Sequence, residues 1–218
     1  MNALPASTRA LLFDMNGTLI ADSIYHSQAF ALFFSRYNLS QDWEELLGMV
    51  HGWRDDQIMR KVFGNKLTVP EVTRLSEEKE AIYRELYAPH IVAVPGAIVL
   101  IRKAKAAGIK LAIATSSPRS NLDFVIRGLG LEEYIEVTLS GGDVGGAKPD
   151  PEIYLEAARR LGCGPEECVV FEDSQVGIEA GLRAGCVVVG VATVLGKGEL
   201  VEAGAWQAVD NFQEVSLP

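Results

Sequence analysis

Cysteine is scarce in this chain: three in 218 residues, at 163, 168 and 186. An odd count without a secretion signal argues against a disulfide framework. Cys168 and Cys186 each open an apolar run, Cys168-Val169-Val170-Phe171 and Cys186-Val187-Val188-Val189, so buried thiols are expected. No second Cys or His pair stands at ligand spacing, which disfavours a zinc site. Basic residues are also few. Twenty Lys and Arg against 29 Asp and Glu leave a net charge of −9, which argues against nucleic acid as a partner. A small phosphorylated partner stays open, because a few local cations or a metal override the global field. Long apolar runs are missing too; stretches such as Val187-Val188-Val189 are strand-length, so no membrane span is expected. Met1 to Arg9 carries no apolar stretch, and Ala10-Leu11-Leu12-Phe13 is too short for a signal core. A cytoplasmic location follows as the expectation.

What is present is an ordinary globular balance, 48% hydrophobic and 22% charged. The length suits one α/β core with a small accessory lobe. Strand-type runs alternate with helix-period stretches, which predicts a parallel sheet with helices on both faces. The predicted strands are Ala10–Phe13, Lys110–Ala114, Val137–Leu139, Cys168–Phe171 and Cys186–Val191. Helix patterns cover Ala97–Ala107 and Ile178–Ala184, the latter stopped by Gly185. Asp150-Pro151-Glu152 reads as an N-cap followed by a first-turn proline and acid. Residues 23–87 break the alternation. Tyr25, Ala29, Leu32 and Phe33 recur at helix spacing, and Val72, Leu75, Ile82 and Leu86 at wider intervals, with no convincing strand. The division expected is a core of residues 1–21 and 90–218 interrupted by an all-helical cap of residues 22–89.

The chemistry gathers where strand patterns end, which is where parallel α/β sheets bind ligands. Asp14 follows the first strand and Thr115-Ser116-Ser117 the second. Lys148 lies in the loop after the third, and Glu172-Asp173 follows the fourth. Three carboxylates on one rim repel unless a hard cation neutralises them, and Mg²⁺ prefers such oxygen ligands. A phosphoryl group then suits the lysine, the hydroxyls and the turn N–H groups.

In order and spacing these residues resemble the haloacid dehalogenase superfamily, in its phosphatase and β-phosphoglucomutase-like branch. The carriers are Leu11-Leu12-Phe13-Asp14-Met15-Asn16-Gly17-Thr18-Leu19, Ala114-Thr115-Ser116, Lys148-Pro149-Asp150-Pro151 and Phe171-Glu172-Asp173-Ser174. The resemblance implies a Rossmann-like core with a helical cap, acting on a small phosphorylated metabolite. It implies that Asp14 is a nucleophile forming an aspartyl-phosphate, and that Thr115, Ser116 and Lys148 clamp the phosphoryl group. Asp14, the backbone carbonyl of Asn16, and Asp173 are the implied Mg²⁺ ligands, with Glu172 ligating directly or supporting them. A monomer is the default expectation.

Position 16 departs from the pattern. The family's phosphatases and mutases carry an aspartate there as general acid/base, and an amide cannot deliver or take that proton. Three readings stay open: a substitution introduced to trap a complex, a native residue in an enzyme that moves its proton otherwise, or a protein that binds phosphorylated ligands without turning them over. Dehalogenases carry tyrosine and phosphonate hydrolases alanine at that position, so neither identity fits. A Schiff-base lysine in the cap would be Lys61 or Lys66.

In the cap, His26 stands ten residues after Asn16, where β-phosphoglucomutase-like proteins have a histidine that couples cap closure to acid/base action; a plain helix histidine is as good a reading. Gly52 and Arg54 resemble the cap's substrate-specificity loop, with Arg54 equally readable as a solvated charge. Trp53 reads as filler of the cap–core seam, Gly128-Leu129-Gly130 as a helix stop, and Glu77-Glu78-Lys79-Glu80 as an exposed helix face.

Overall fold

The computed structural model describes residues 2–39 and 55–218. A short parallel pair, β1 (Asn2–Ala3) with β8 (Val215–Ser216), ties the two ends of the described chain together. The main sheet is built from apolar runs because both its faces are covered. Every residue of β2 (Ala10–Phe13) and β5 (Cys168–Glu172) is buried. In β3 (Lys110–Ala114) and β6 (Val187–Val191) only the first residue is partly exposed. The edges are short: β4 (Val137–Leu139) and β7 (Gln207–Val209). All pairings are parallel, in the order β4-β3-β2-β5-β6-β7. The chain thus leaves central β2 on one side, returns, and continues on the other, which places a switch point at the carboxyl end of β2.

Helices α1 (Ser23–Arg36), α2 (Asp55–Phe63) and α3 (Val69–Tyr87) intervene between β2 and β3, followed before β3 by α4 (Ala97–Ala106). Next come α5 (Arg119–Leu129), α6 (Glu152–Leu161), α7 (Gln175–Arg183) and α8 (Lys197–Glu202). Their ends carry local signals. Thr68 and Glu71 form a capping box at the start of α3. The Ser174 hydroxyl accepts from the Gly177 N–H at the start of α7. Gly130 and Gly162 close α5 and α6 in the left-handed conformation.

Strand alternation sorts the core into two layers. Leu11, Phe13, Ile113, Val169, Phe171 and Val189 point to the face shared by α4, α5 and the α1–α3 segment, whose Phe30, Phe33, Tyr83 and Tyr87 join the same cluster. Leu12, Ala112, Ala114, Val170 and Val188 point to the opposite face, against α6, α7 and α8.

Three predicted strands match as read. Glu172 extends the fourth, and Cys186 sits just before the fifth. The β7 edge strand and the β1–β8 pair were not anticipated, being too short to carry a pattern. Helix α7 begins at Gln175, earlier than the apolar run suggests, because Ser174 caps it. The cap position of α6 is Pro151 rather than Asp150, whose carboxylate instead accepts from the Glu152 N–H at 2.9 Å. Leu32 is 49% exposed, and α1 buries Ala29, Phe30, Phe33 and Phe34 instead. The expected exposed face at 77–80 is half wrong, since Lys79 and Glu80 are buried as an ion pair. Among the described residues no helix is long and apolar enough to cross a membrane.

Phe212 packs its ring against Phe13 at 5.8 Å and Phe171 at 5.2 Å under the sheet's centre. Phe212→Ala is expected to lower unfolding free energy by about 3–5 kcal/mol through the transfer and cavity losses. Equilibrium urea denaturation measures this; a loss below about 1 kcal/mol would mean the site collapses without leaving a void.

Candidate active site

Neighbouring parallel strands end in register, so residues one step past their ends become neighbours. Phe13 pairs with Ile113 and with Phe171, which sets Asp14, Thr115 and Glu172-Asp173 around one rim. The Asp14 N–H donates to the Phe171 carbonyl at 3.0 Å and the Thr115 N–H to that of Leu139 at 3.0 Å. Lys148 reaches in from the loop before α6. Its ammonium donates to Asp14 Oδ1 at 2.6 Å, Glu172 Oε1 at 2.5 Å and the Ala114 carbonyl at 3.3 Å.

Glu172 is held on every side. Tyr154 Oη donates to its Oε1 at 2.7 Å, while Oε2 accepts from the Asp173 N–H, the Ser174 N–H and the Ser174 hydroxyl at 3.1, 3.2 and 3.1 Å. The Thr18 hydroxyl donates to Asp173 Oδ1 at 3.4 Å. Gly17, at φ +74°, lies so close to Asp173 that an added Cβ would stand 2.0 Å from Oδ2. A side chain at position 17 would have to displace the Asp173 carboxylate, and the left-handed backbone disfavours one independently.

Oxygen atoms of Asp14, Glu172 and Asp173 lie within 4.8 Å of one another, all three residues buried. Burial pushes the Asp14 carboxyl up to about 7 despite the Lys148 ammonium, with Glu172 adding to the rise. Asp173 is driven well above the carboxylate range by burial and then by Glu172 and Asp14. Burial works the same way on Glu172, but Lys148 and the Tyr154 hydroxyl overcome it and hold Glu172 below its ordinary value. Burial would lower Lys148, yet Asp14 and Glu172 together keep it above. One ammonium shared among three buried carboxylates leaves a net negative, all-oxygen cluster, a donor set that fits a hard divalent cation.

A second network adjoins the first. Asn16 Oδ1 accepts from the Ser117 hydroxyl at 2.6 Å and from the Thr115 hydroxyl at 3.4 Å. Its amide nitrogen donates to Asp22 Oδ2 at 2.6 Å and lies 3.2 Å from His26 Nε2. Asp22 Oδ2 also accepts from Tyr83 Oη at 2.6 Å and lies 3.3 Å from His26 Nε2, while Oδ1 accepts from the Gly17 N–H at 3.3 Å. Burial pulls Asp22 upward, but the hydrogen bonds from His26, Tyr83 and Asn16 hold its carboxyl below the usual value. The His26 ring stacks on Tyr83 at 3.8 Å, and its Nδ1 lies 3.5 Å from Lys79 Nζ.

The predicted residues Asp14, Asn16, Thr115, Lys148, Glu172 and Asp173 therefore converge, and His26 reaches Asn16. Ser116 is half-buried in the same turn. Gly52, Arg54 and Trp53 lie outside the described residues. Lys61 and Lys66 are exposed; the buried cap lysine is Lys79. Sequence reasoning placed Ser117 in the hydroxyl turn but missed Tyr154, Asp22 and Tyr83. Of these only Asp22 carried a signal, as an acid immediately before a helix, and that pattern suggests a cap rather than a partner of Asn16.

The profile of the haloacid dehalogenase-like hydrolases matches residues 8–185. The chain belongs to that family. Haloacid dehalogenase-like relatives include protein CbbY of Rhodobacter capsulatus, 33% identical over 211 residues, covering 93% of each chain. Hexitol phosphatase A of Escherichia coli is 36% identical over 188 residues, covering 84% of this chain and 82% of its own. The crystal structure of β-phosphoglucomutase from Clostridium difficile superposes with a TM-score of 0.82 at 26% identity, covering 95% of this chain and 92% of that one. This hydrolase is thus similar to both phosphatases and phosphomutases.

Because folding raises Asp14 from 3.8 to about 7, the folded state binds its proton more tightly than the unfolded chain. Stability from this group is full below the unfolded value and is lost as pH climbs through the folded one; Asp173 acts in the same direction. Urea midpoints measured in excess chelator should fall between about pH 4 and 7. A midpoint that rises across that window would contradict the crowding of these carboxylates.

Proposed function

We propose that this hydrolase is a Mg²⁺-dependent phosphatase of a small phosphomonoester, a sugar phosphate by its likeness to hexitol phosphatase A. The carrying observation is the Asp14–Lys148–Glu172–Asp173 cluster at the switch point, three carboxylates with a single ammonium among them. Asp14 and Asp173, with the carbonyl of Asn16, would hold the ion, Glu172 supporting them. When bound, the ion supplies the positive charge that lets one anion approach another.

In this reading an oxygen of Asp14 attacks phosphorus, forming an aspartyl-phosphate as the bond to the leaving oxygen breaks. Lys148, the Thr115 hydroxyl and the Ser116 N–H neutralise the phosphoryl oxygens. The leaving oxygen takes its proton from a water molecule, Asn16 having none to give, and the proton lost by the water that attacks in the second step restores the balance. Water then attacks the same phosphorus, releasing inorganic phosphate and restoring the Asp14 carboxylate. The helices of residues 22–89 act as a cap that excludes bulk solvent over the core of residues 1–21 and 90–218. Arg54 and Gly52 are proposed to contact the substrate from that cap. The likeness to β-phosphoglucomutase favours a second reading, a mutase that keeps the phosphoenzyme from water.

Phosphate release from a sugar-phosphate panel tests the proposal. Release should require Mg²⁺, and Asp14→Asn should lower kcat by about 10³-fold or more while the chain stays folded. Isomerised sugar phosphate accumulating in place of free phosphate would select the mutase. Full activity in excess chelator would remove the metal from the proposal.

With Asn16 unable to donate a proton at useful pKa, the rate should depend steeply on the leaving group. Aryl phosphates such as p-nitrophenyl phosphate are expected to turn over about 10²-fold faster than alkyl phosphates at saturation. Equal rates would mean that another group protonates the leaving oxygen.

A further inference from the structure

The amide of Asn16 has one orientation compatible with its neighbours. Nδ2 faces Asp22 Oδ2 at 2.6 Å, and Oδ1 faces the Ser117 hydroxyl at 2.6 Å and the Thr115 hydroxyl at 3.4 Å. Flipping it would set a carbonyl oxygen against a carboxylate oxygen, two acceptors with no proton between them. The partner is equally constrained. Asp22 is fully buried, its Oδ2 accepting from Asn16 and Tyr83 and its Oδ1 from the Gly17 N–H, with His26 Nε2 3.3 Å from Oδ2. Tyr83 lies on α3, Asp22 at the head of α1, and Asn16 and Gly17 in the loop after β2. One carboxylate at the head of α1 therefore takes donors from two other segments, α3 and the loop after β2.

We propose that Asp22 is a positioning residue acting through Asn16: a carboxylate at 22 requires an amide donor at 16 and turns the Asn16 carbonyl toward Thr115 and Ser117. The two positions form one matched unit, and Asn16 belongs to the native design of this site. The catalytic meaning of the unit rests on the phosphatase reading; the pairing itself does not.

The donor count predicts what substitutions do. Asn16→Asp alone sets two carboxylates against each other where Gly17 and Tyr83 are already committed to Asp22. Asp22→Asn alone is accommodated only by turning Asn16 over. The amide at 22 then donates to the Asn16 carbonyl, its own carbonyl accepts from the Gly17 N–H, and the Asn16 amide instead of its carbonyl faces the Thr115 and Ser117 hydroxyls. The exchanged pair, Asn16→Asp with Asp22→Asn, again sets one amide against one carboxylate, and His26 Nε2, 3.2 Å from the atom at 16, still faces a carboxylate oxygen. The amide at 22 donates to the carboxylate at 16 and to Tyr83 Oη, and its carbonyl accepts from Gly17.

The test is the four-member cycle of parent, two single variants and the exchanged pair, each measured for thermal midpoint and for kcat and KM with Mg²⁺. Asn16→Asp should lower the midpoint by about 4 °C or more and Asp22→Asn by less, with the exchanged pair within about 2 °C of the parent. At temperatures well below all midpoints, kcat of the exchanged pair should exceed that of Asn16→Asp by at least about tenfold. A merely structural contact would not produce that difference. An Asn16→Asp variant as stable as the parent, or losses that simply add in the exchanged pair, overturns the pairing. A recovered midpoint with equal kcat in those two variants overturns the positioning role. Should no variant, nor the parent, release phosphate, the phosphatase reading fails while the midpoints still decide the pairing.

Discussion

Three buried carboxylates share one buried ammonium at the carboxyl end of the central strands, and much of the architecture serves that arrangement. Charges taken out of water are tolerated only when paired and hydrogen-bonded. Glu172 meets that demand with Lys148, Tyr154, two backbone N–H groups and a hydroxyl. Asp14 and Asp173 meet it only partly, and their raised proton affinities record the deficit. A site with this imbalance is costly to keep empty of positive charge and well suited to receive it. Gly17 follows from the same crowding, since any side chain there would displace Asp173.

The second cluster solves a different problem. The helices inserted after β2 must be joined to the loop that follows β2 without a charge mismatch, and Asp22 supplies an acceptor to both sides. Around it the polar groups continue outward. Lys79 pairs with Glu80, Glu80 accepts from Asn121 on α5, and Asn121 in turn accepts from Arg84 at 2.8 Å. Buried polar chains of this kind are favourable only when each member is satisfied. They therefore tie the relative placement of α1, α3 and α5 to the catalytic loop more specifically than the apolar contacts around them.

An aspartate at position 16 would make the molecule a conventional member of its family, and the asparagine looks like a loss when the motif stands alone. Beside Asp22 it is one half of an exchange. The carboxylate lies one layer deeper, and the amide carries its hydrogen bond back to Thr115 and Ser117. Position 16 thereby turns an acceptor, rather than a proton donor, toward Thr115 and Ser117.

The sequence alone determined five strands of the six-stranded sheet and the rim. Strands buried on both faces need uninterrupted apolar runs, and parallel strands ending in register bring the residues just beyond them together, so Ala10–Phe13, Lys110–Ala114 and Cys168–Phe171 placed Asp14, Thr115 and Glu172-Asp173 correctly. The helical character of the inserted segment was legible from its period as well. Tertiary structure decided which polar residues are partners. Asp22 and Tyr83 are 61 positions apart and Glu80 and Asn121 are 41 apart, and no periodicity signals that they touch. Lys79 and Glu80 read as solvated charges because local pattern reports only amphipathicity. Their burial arises when α3 packs against α1 and α5, a contact between surfaces that no single segment of the chain contains.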